Sequence, residues 1–458
     1  STLKSIVIEE FKAQSRMILP LIAMNLTVFS KNAVTIAFLG RIGKIQLAGG
    51  ALGFTFANVT GFCVLNGLCG AMEPICGQAY GARNYRLLHK TLLMTTLLLL
   101  LATIPTSFLW LKTDKILPFF GQQDDMIKVA KSLLVYLIPD LVATSLLCPL
   151  KLYLSLQGSN VPTMVVSALA LGLHVPITNV LVKCKGVHGV GIAVWVSDIF
   201  AVMLLGVYVG ITENRKGGKW EEGGWFDQST KDWLRLLNLS ARCCVTTCVE
   251  WWCLEILLLL AGRLPNPTRE VGVLSIVLNF DYLQYSIMLS LSACATIRVS
   301  NELGANQAAS AKQAACFSLV IGIVFGFAGG SVMVAVRDVW GPLFSRDKAV
   351  LKGVERMMML MGVVEVVNFP LVICGGIVRS TAKPLLAMYA NVGGFYLIAL
   401  PLAAFLAFNN GMGVVGLLVG YLVGIVASLG LLAGFVAAIN WQAEALRARN
   451  FALESQIE

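Results

Sequence analysis

Apolar residues run through this chain in long blocks, not in the alternating or one-faced patterns of a soluble fold. A helix needs about 20 mostly apolar residues to cross a bilayer. Twelve stretches meet that length: residues 15–39, 52–77, 91–111, 130–150, 163–183, 189–212, 237–261, 271–297, 314–336, 356–378, 385–407 and 412–438. Most gaps between them are short. The largest polar insert, Thr212 to Lys231, is rich in Gly, Lys and Glu and divides the chain in half. The pattern predicts an N-lobe over residues 1–212 with helices 1–6 and a cytoplasmic inter-lobe loop over 213–234. A C-lobe over 235–440 follows with helices 7–12, then a polar tail over 441–458 that reads as a surface helix.

The two halves repeat each other. Gly77-Gln-Ala-Tyr-Gly-Ala82 returns as Ser300-Asn-Glu-Leu-Gly-Ala305, and Gly158-Ser-Asn-Val-Pro162 as Ser380-Thr-Ala-Lys-Pro384. Pro176 matches Pro401, and Gly186-Val-His-Gly-Val-Gly191 matches Gly411-Met-Gly-Val-Val-Gly416. The register is nearly constant across all four landmarks. The expected fold is therefore all-α and integral to the membrane, with twelve transmembrane helices in two pseudo-symmetric six-helix lobes. Six spans per half make the repeat parallel, as in transporters whose halves move about a site near the midplane.

Composition agrees. Of 458 residues, 57% are hydrophobic and only 13% charged, against about a quarter charged in soluble domains. The net charge of +10 reads as loop Lys and Arg beside anionic lipid, not as a nucleic-acid surface. Arg215, Lys216, Lys219, Lys231 and Arg235 cluster in the central connection, which favours cytoplasmic termini. No cleavable signal pattern opens the chain, and a chain starting at Ser1 is expected to be trimmed. There is no phosphate-binding loop, and His89, His174 and His188 are too scattered for a metal motif. The cysteines lie mostly inside apolar stretches, as at Cys63, Cys69, Cys243 and Cys316, and read as small buried hydrophobes. No nucleophile–base pair appears. An enzyme is not expected, and neither is a cofactor or a metal.

Chemistry then falls to the polar residues inside the spans, since a charge at the bilayer centre costs several kcal/mol unless paired, protonated or facing water. Helix 7 holds Cys248-Val-Glu-Trp-Trp-Cys-Leu-Glu255. Glu250 and Glu255 stand about 140° apart at 100° per residue, so one narrow cleft cannot take both. Asp281, Gln284 and Tyr285 form a patch at helical spacing in helix 8. Glu365 and Asn368 lie just before Pro370 in helix 10, where a proline frees backbone carbonyls. Glu250, Glu365, Asp281 and Glu255 are the candidates for proton coupling. In the N-lobe, Lys31 shares a helix face with Thr27 and Thr35, either snorkelling or facing a cavity. Asn58, Asn66 and Glu73 fall within a sector of roughly 80° on a regular helix 2. Asp140 lies near mid-span in helix 4, and Asp198 in helix 6 is similar. Substrate-binding candidates are Lys31, Asn58, Asn66, Asp140, Gln284, Tyr285, Asn368 and Trp251. Trp251 and Trp252 can equally be packing residues.

Several strings resemble the plant branch of the multidrug and toxic compound extrusion (MATE) family. They are Glu73-Pro-Ile-Cys-Gly-Gln-Ala-Tyr-Gly-Ala82, Cys248-Val-Glu-Trp-Trp252, Leu264-Pro-Asn-Pro267, Arg298-Val-Ser-Asn-Glu-Leu-Gly-Ala-Asn306 and His174-Val-Pro176. The resemblance covers the whole chain. It implies twelve helices in two lobes, alternating access, and export of organic solutes, usually by proton antiport. Glu250 then matches the family's C-lobe carboxylate of helix 7. The family's second carboxylate, counted back from Gly376-Ile-Val-Arg379, is replaced here by Asn368. Lys31, Pro139-Asp140 and Asn368 together resemble a plant subgroup that includes an abscisic acid exporter. The expected function is secondary active export of small organic molecules by alternating access and proton antiport. The expected substrate is an organic anion such as abscisic acid, drawn by Lys31. The alternatives are a cationic or neutral alkaloid or xenobiotic substrate, or an anion channel on the same scaffold. Expected partners are the substrate, protons and the lipid bilayer, with no nucleic acid. A monomer is expected, in the plasma membrane rather than the vacuolar membrane.

Overall fold

The computed structural model describes residues 2–120, 124–215, 223–261, 263–343 and 347–457. Lys216 and Lys219, used above for sidedness, lie outside them. The described residues are helical with no strand. We number the helices α1 (Thr2–Ile42), α2 (Lys44–Ala57, Asn58–Phe62, Cys63–Cys69 and Met72–Gly81), α3 (Tyr85–Leu111), α4 (Asp124–Leu156), α5 (Asn160–Lys185), α6 (Val187–Arg215) and α7 (Thr230–Ala261). Then follow α8 (Pro267–Gly304), α9 (Ala308–Ala335), α10 (Lys348–Ser380), α11 (Pro384–Asn391, Val392–Ala399, Leu400–Ala404 and Phe405–Asn409), α12 (Gly413–Ala437) and α13 (Trp441–Ile457). Helices α1–α12 correspond to the twelve apolar stretches, and α13 to the polar tail. By length and composition, nine helices among the described residues are apolar enough to span a membrane. The other three, α1, α7 and α8, are the ones that carry Lys31, then Arg242 with Glu250 and Glu255, then Asp281.

The chain separates into two compact units. One holds Leu19–Thr247 with Asn450–Glu458, the other Cys248–Arg449 with the residues up to Ile18. The division therefore falls inside α7, between Thr247 and Cys248, and not in the polar 213–234 connection. It also assigns the first turns of α1 to the unit of the second half. Buried Gln14 explains this locally. Its amide donates to the carbonyl of Ala314 in α9 at 3.4 Å, and its Oε1 accepts from Ser318 at 3.3 Å.

Corresponding corners of the two halves use the same backbone device. Arg83 (φ 58°) and Asn306 (φ 58°) are both left-handed. The next residue in each case bonds five back, Asn84 to the Ala79 carbonyl at 2.8 Å and Gln307 to the Glu302 carbonyl at 2.9 Å. That 6→1 bond closes a helix C-terminus. Gly186 and Gly411 form a further left-handed pair at matching positions, and Gly158 and Ala382 are both left-handed two residues before α5 and α11, a register two residues from the one the sequence match gives. The Asn84 side chain then caps α3 by accepting from the Leu87 amide at 3.1 Å, and Asp347 caps α10 through the Ala349 amide at 2.8 Å.

In the first-half unit, α4 packs against α2, α3 and α6, and α5 packs on α6. Trp110 is fully buried there. It donates to Thr60 at 2.9 Å and meets Phe62 edge-on at 5.8 Å. Thr60 and Phe62 belong to a π-helical turn over Asn58–Phe62, and a side chain on Gly61 would stand 2.5 Å from the Trp110 ring. At the start of α7, Ser229 and Asp232 make a reciprocal capping box. The Ser229 amide donates to Asp232 at 3.0 Å and the Asp232 amide donates to Ser229 Oγ at 3.2 Å. Lys90 donates to the same carboxylate at 2.8 Å. Burial works against ionisation of Asp232, but the bonds from Lys90 and Ser229 outweigh it and hold the carboxyl below its ordinary range.

In the second-half unit, α8, α9 and α10 pack mutually, while α12 lies against α10 and α11. Pro370 cannot donate to the carbonyl of Val366. Gly326 of α9 approaches that same carbonyl, where an added Cβ would sit at 3.1 Å. The α11–α12 seam is equally tight. A Cβ on Gly394 would lie 2.6 Å from the Gly424 carbonyl, and Ser428 donates across the seam to the Ala390 carbonyl at 3.1 Å. α11 is π-helical over Val392–Ala399, so its side chains rotate by less than 100° per residue through that stretch.

Candidate functional site

A cavity of about 530 Å³, counted to its open mouth, lies within the second-half unit. Four helices bring polar groups to it: α7 brings Glu250, α8 Asp281, α10 Asn368 and α11 Asn391. Aromatic walls come from Trp251, Tyr282, Tyr285, Phe395 and Tyr421. Trp251 and Tyr285 meet edge-on at 5.1 Å, and Phe395 stacks on Tyr421 at 6.1 Å.

Glu250 is the carboxylate with the most evident support. Asn391 donates to its Oε1 at 2.7 Å. Tyr396, one turn beyond Asn391, donates to the Val249 carbonyl at 2.9 Å and ties α11 to the same turn of α7. Arg379 lies within electrostatic reach of Glu250 and donates to Ser292 at 3.1 Å. Glu255 does not line the cavity, as the 140° separation requires. Asp281 is buried and lines the cavity, with one carboxyl oxygen lacking a hydrogen-bond partner. Behind it stands Glu365, fully buried, with neither carboxyl oxygen partnered. The two acids interact with each other. Two ionised carboxylates so placed would repel strongly in an apolar interior. Gln284 is not part of the cavity wall. It donates to the Gly329 carbonyl at 2.9 Å and fastens α8 to α9.

Of the C-lobe candidates, Glu250, Trp251, Asp281, Tyr285 and Asn368 thus come together, and Glu365 joins them through Asp281. Glu255 and Gln284 lie apart. The sequence reading missed Tyr282, Asn391, Phe395 and Tyr421. Asn391 had a signal, being a lone amide in an apolar stretch two residues before Gly393-Gly394. Phe395 and Tyr421 had none, since they sit in apolar runs like any core residue, whereas Tyr282 stands inside the polar patch of helix 8, next to Asp281.

The N-lobe candidates form a different arrangement in the first-half unit. Lys31 neither snorkels nor presents a free ammonium. It bonds to Asp198 of α6 at 2.5 Å and to the Val194 carbonyl at 3.4 Å. Buried Asp140 lies beside Asp198 and shares that cluster. His174 is fully buried next to it. Its Nε2 meets Thr35 at 2.9 Å and its Nδ1 meets Ser197 at 3.1 Å. Asn58 and Asn66 are exposed. The common sector assigned to Asn58, Asn66 and Glu73 assumes a regular α-helix, whereas α2 is π-helical at Asn58–Phe62 and breaks between Cys69 and Met72. Asn66 Oδ1 accepts a hydrogen bond from Cys148 of α4 at 3.2 Å.

Comparison with known proteins agrees with this architecture. The family model MatE matches residues 20–180 and 243–405, once in each half. Protein DETOXIFICATION 56 of Arabidopsis thaliana is 55% identical over 449 residues, covering 98% of this chain and 91% of that protein. The crystal structure of the eukaryotic MATE transporter AtDTX14 superposes with a TM-score of 0.91 at 31% identity, covering 98% of this chain and all of that one. The Vibrio cholerae MATE transporter VcmN in the bent form shares the fold at a TM-score of 0.81 and 15% identity, over 98% of this chain and 99% of that chain. With a duplicated model match, a twelve-helix layout and relatives along its whole length, the chain belongs to the MatE family of membrane efflux transporters, among its plant DETOXIFICATION members.

Proposed function

We propose that this protein exports small organic molecules in exchange for protons, with Glu250 as the coupling carboxylate. The observation that carries this reading is the position of Glu250 in the cavity wall, bonded by Asn391 and surrounded by aromatic rings. A carboxylate in such a setting has two stable options. It keeps its amide donor and a nearby positive charge, or it takes a proton. Coupling requires that the protonated and ionised forms favour different conformations. Asp281 and Glu365 add a second place where a proton is held, since one proton between them relieves their mutual repulsion.

The same walls point to the substrate. Five aromatic rings and two carboxyls converge on the cavity, and no Lys or Arg is among its lining residues. Rings and carboxylates of this kind recognise an organic cation. A carboxylate substrate such as abscisic acid calls for a free cationic partner. Lys31 is committed to Asp198, which takes away the charge on which the anion reading relied. A proton and an organic cation that compete for Glu250 would give obligatory exchange.

Proteoliposomes with an imposed pH gradient test the assignment. Glu250→Gln is expected to abolish gradient-driven movement of a cationic dye while leaving the protein folded and monodisperse. Full coupling in that variant would refute Glu250 as the proton carrier.

A further inference from the structure

Cys148 and Cys69 are neighbours on two helices, a pairing that the transport chemistry leaves unused. Cys148 on α4 donates its thiol hydrogen to Asn66 Oδ1 on α2 at 3.2 Å. Asn66 and Cys69 are three residues apart in the same α-helical segment, so they share a face. With Cys148 bonded to Asn66, that face brings Cys69 beside it from the next turn of α2, within interaction range of the Cys148 thiol. Cys69 is almost fully buried, at 1% exposure, while Cys148 is partly accessible and its partner Asn66 is exposed. Any approach of a small neutral oxidant to Cys148 would therefore come from the Asn66 side, not from Cys69. Lys151, one turn along α4, lies within electrostatic reach of Cys148. A partly exposed cysteine beside a cation, with a second cysteine within interaction range, is the arrangement of a redox-responsive pair.

We propose that Cys69 and Cys148 are a peroxide-sensitive dithiol that closes to a disulfide and clamps α2 to α4 inside the first-half unit. In the first step the Cys148 sulfur attacks one oxygen of hydrogen peroxide. An S–O bond forms, the O–O bond breaks, and the departing hydroxide leaves as water with the Cys148 proton. In the second step the Cys69 sulfur attacks the Cys148 sulfur. The S–S bond forms, the S–O bond breaks, and the second hydroxide leaves as water with the Cys69 proton. Two thiols give two electrons, and one peroxide becomes two waters. Two unjoined thiols are farther apart than the roughly 2.05 Å of a disulfide, so closure needs an approach of the two helices. It also takes from Asn66 its thiol donor.

The full-length protein, purified reduced in detergent, is treated with hydrogen peroxide, alkylated and digested without reductant for mass spectrometry. The expected result is a linked pair of peptides holding Cys69 and Cys148, with loss of both thiols from the alkylated fraction and recovery of both on adding dithiothreitol. In Cys69→Ser the resolving thiol is gone, and dimedone is expected to trap sulfenic acid at Cys148. Exposed Cys184 reports general oxidation in the same digest. Cys69 and Cys148 both remaining alkylatable while Cys184 oxidises would overturn the proposal. So would Cys148 pairing with a different cysteine, or the absence of a dimedone adduct at Cys148 in Cys69→Ser.

Discussion

The amide of Asn391 in α11 holds the carboxylate of Glu250 in α7 at 2.7 Å, across 141 residues of sequence. A hydrogen bond to a charged group contributes about 1.5–3 kcal/mol, which is roughly tenfold or more in any equilibrium that needs the ionised form. Asn391→Leu is therefore expected to cut pH-gradient-driven efflux at least about tenfold. Asn391→Asp places a second acid against the first and should also impair coupling. Initial efflux rates measured with the gradient imposed and collapsed separate these effects from a general loss of protein, and an unchanged gradient-driven rate in Asn391→Leu argues against a supporting role.

Trp251 offers a test of substrate charge. If its ring helps hold a cation, Trp251→Ala removes a contact worth about 0.5–2 kcal/mol. The KM of an aromatic cation should then rise between about two- and thirtyfold, while a carboxylate of similar size is unaffected. An equal rise for both would reduce Trp251 to cavity packing.

Lys31 and Asp198 should behave as one unit. Removing one member of a buried ion pair costs roughly 3–5 kcal/mol, because the other charge is stranded, whereas replacing both by apolar residues can be nearly neutral. Lys31→Met and Asp198→Leu alone are each expected to lower the melting temperature of the detergent-solubilised protein. The double variant should recover most of the loss. Additive losses in the thermal melts would show that the pair is not coupled.

Asp232 supplies a pH dependence with a defined sign. Its carboxyl is held below the ordinary range in the folded protein by Lys90 and Ser229, against the effect of burial. The stabilisation is present above the unfolded-state value, near 3.9, and is lost as pH falls through the lowered folded value. Limited proteolysis of the segment preceding α7 should accelerate under acid, and Asp232→Asn should show the faster cleavage already at neutral pH. A cleavage rate in Asp232→Asn equal to that of the unaltered protein at neutral pH would exclude the capping box as the anchor.

The spans were legible because bilayer burial demands uniform apolarity over a fixed length, and a linear count detects that. Glu250 stood out for the converse reason, as a charge where uniformity is expected. Its separation from Glu255 needed only helix geometry. Lys31 was visible as an anomaly, but its partner Asp198 lies 167 residues away, and no local pattern joins them. Asn58 and Asn66 were given a common direction because a π-helical turn leaves little trace in composition, yet it resets the phase of all that follows. Tyr421 and Phe395 were hidden for a different reason, since apolar spans make the wall of a cavity and the face toward lipid look alike.

Gln14 carries a last implication, for any attempt to divide the chain. The internal repeat is written in units of six helices, but the folded bodies exchange material, because the opening turns of α1 lie in the body of the second half and the final residues of α13 in that of the first. A polypeptide cut at the central connection would leave the first fragment carrying a strut, anchored at Ala314 and Ser318, that belongs to its sibling. Two fragments made by that cut would therefore not coincide with the two folded units.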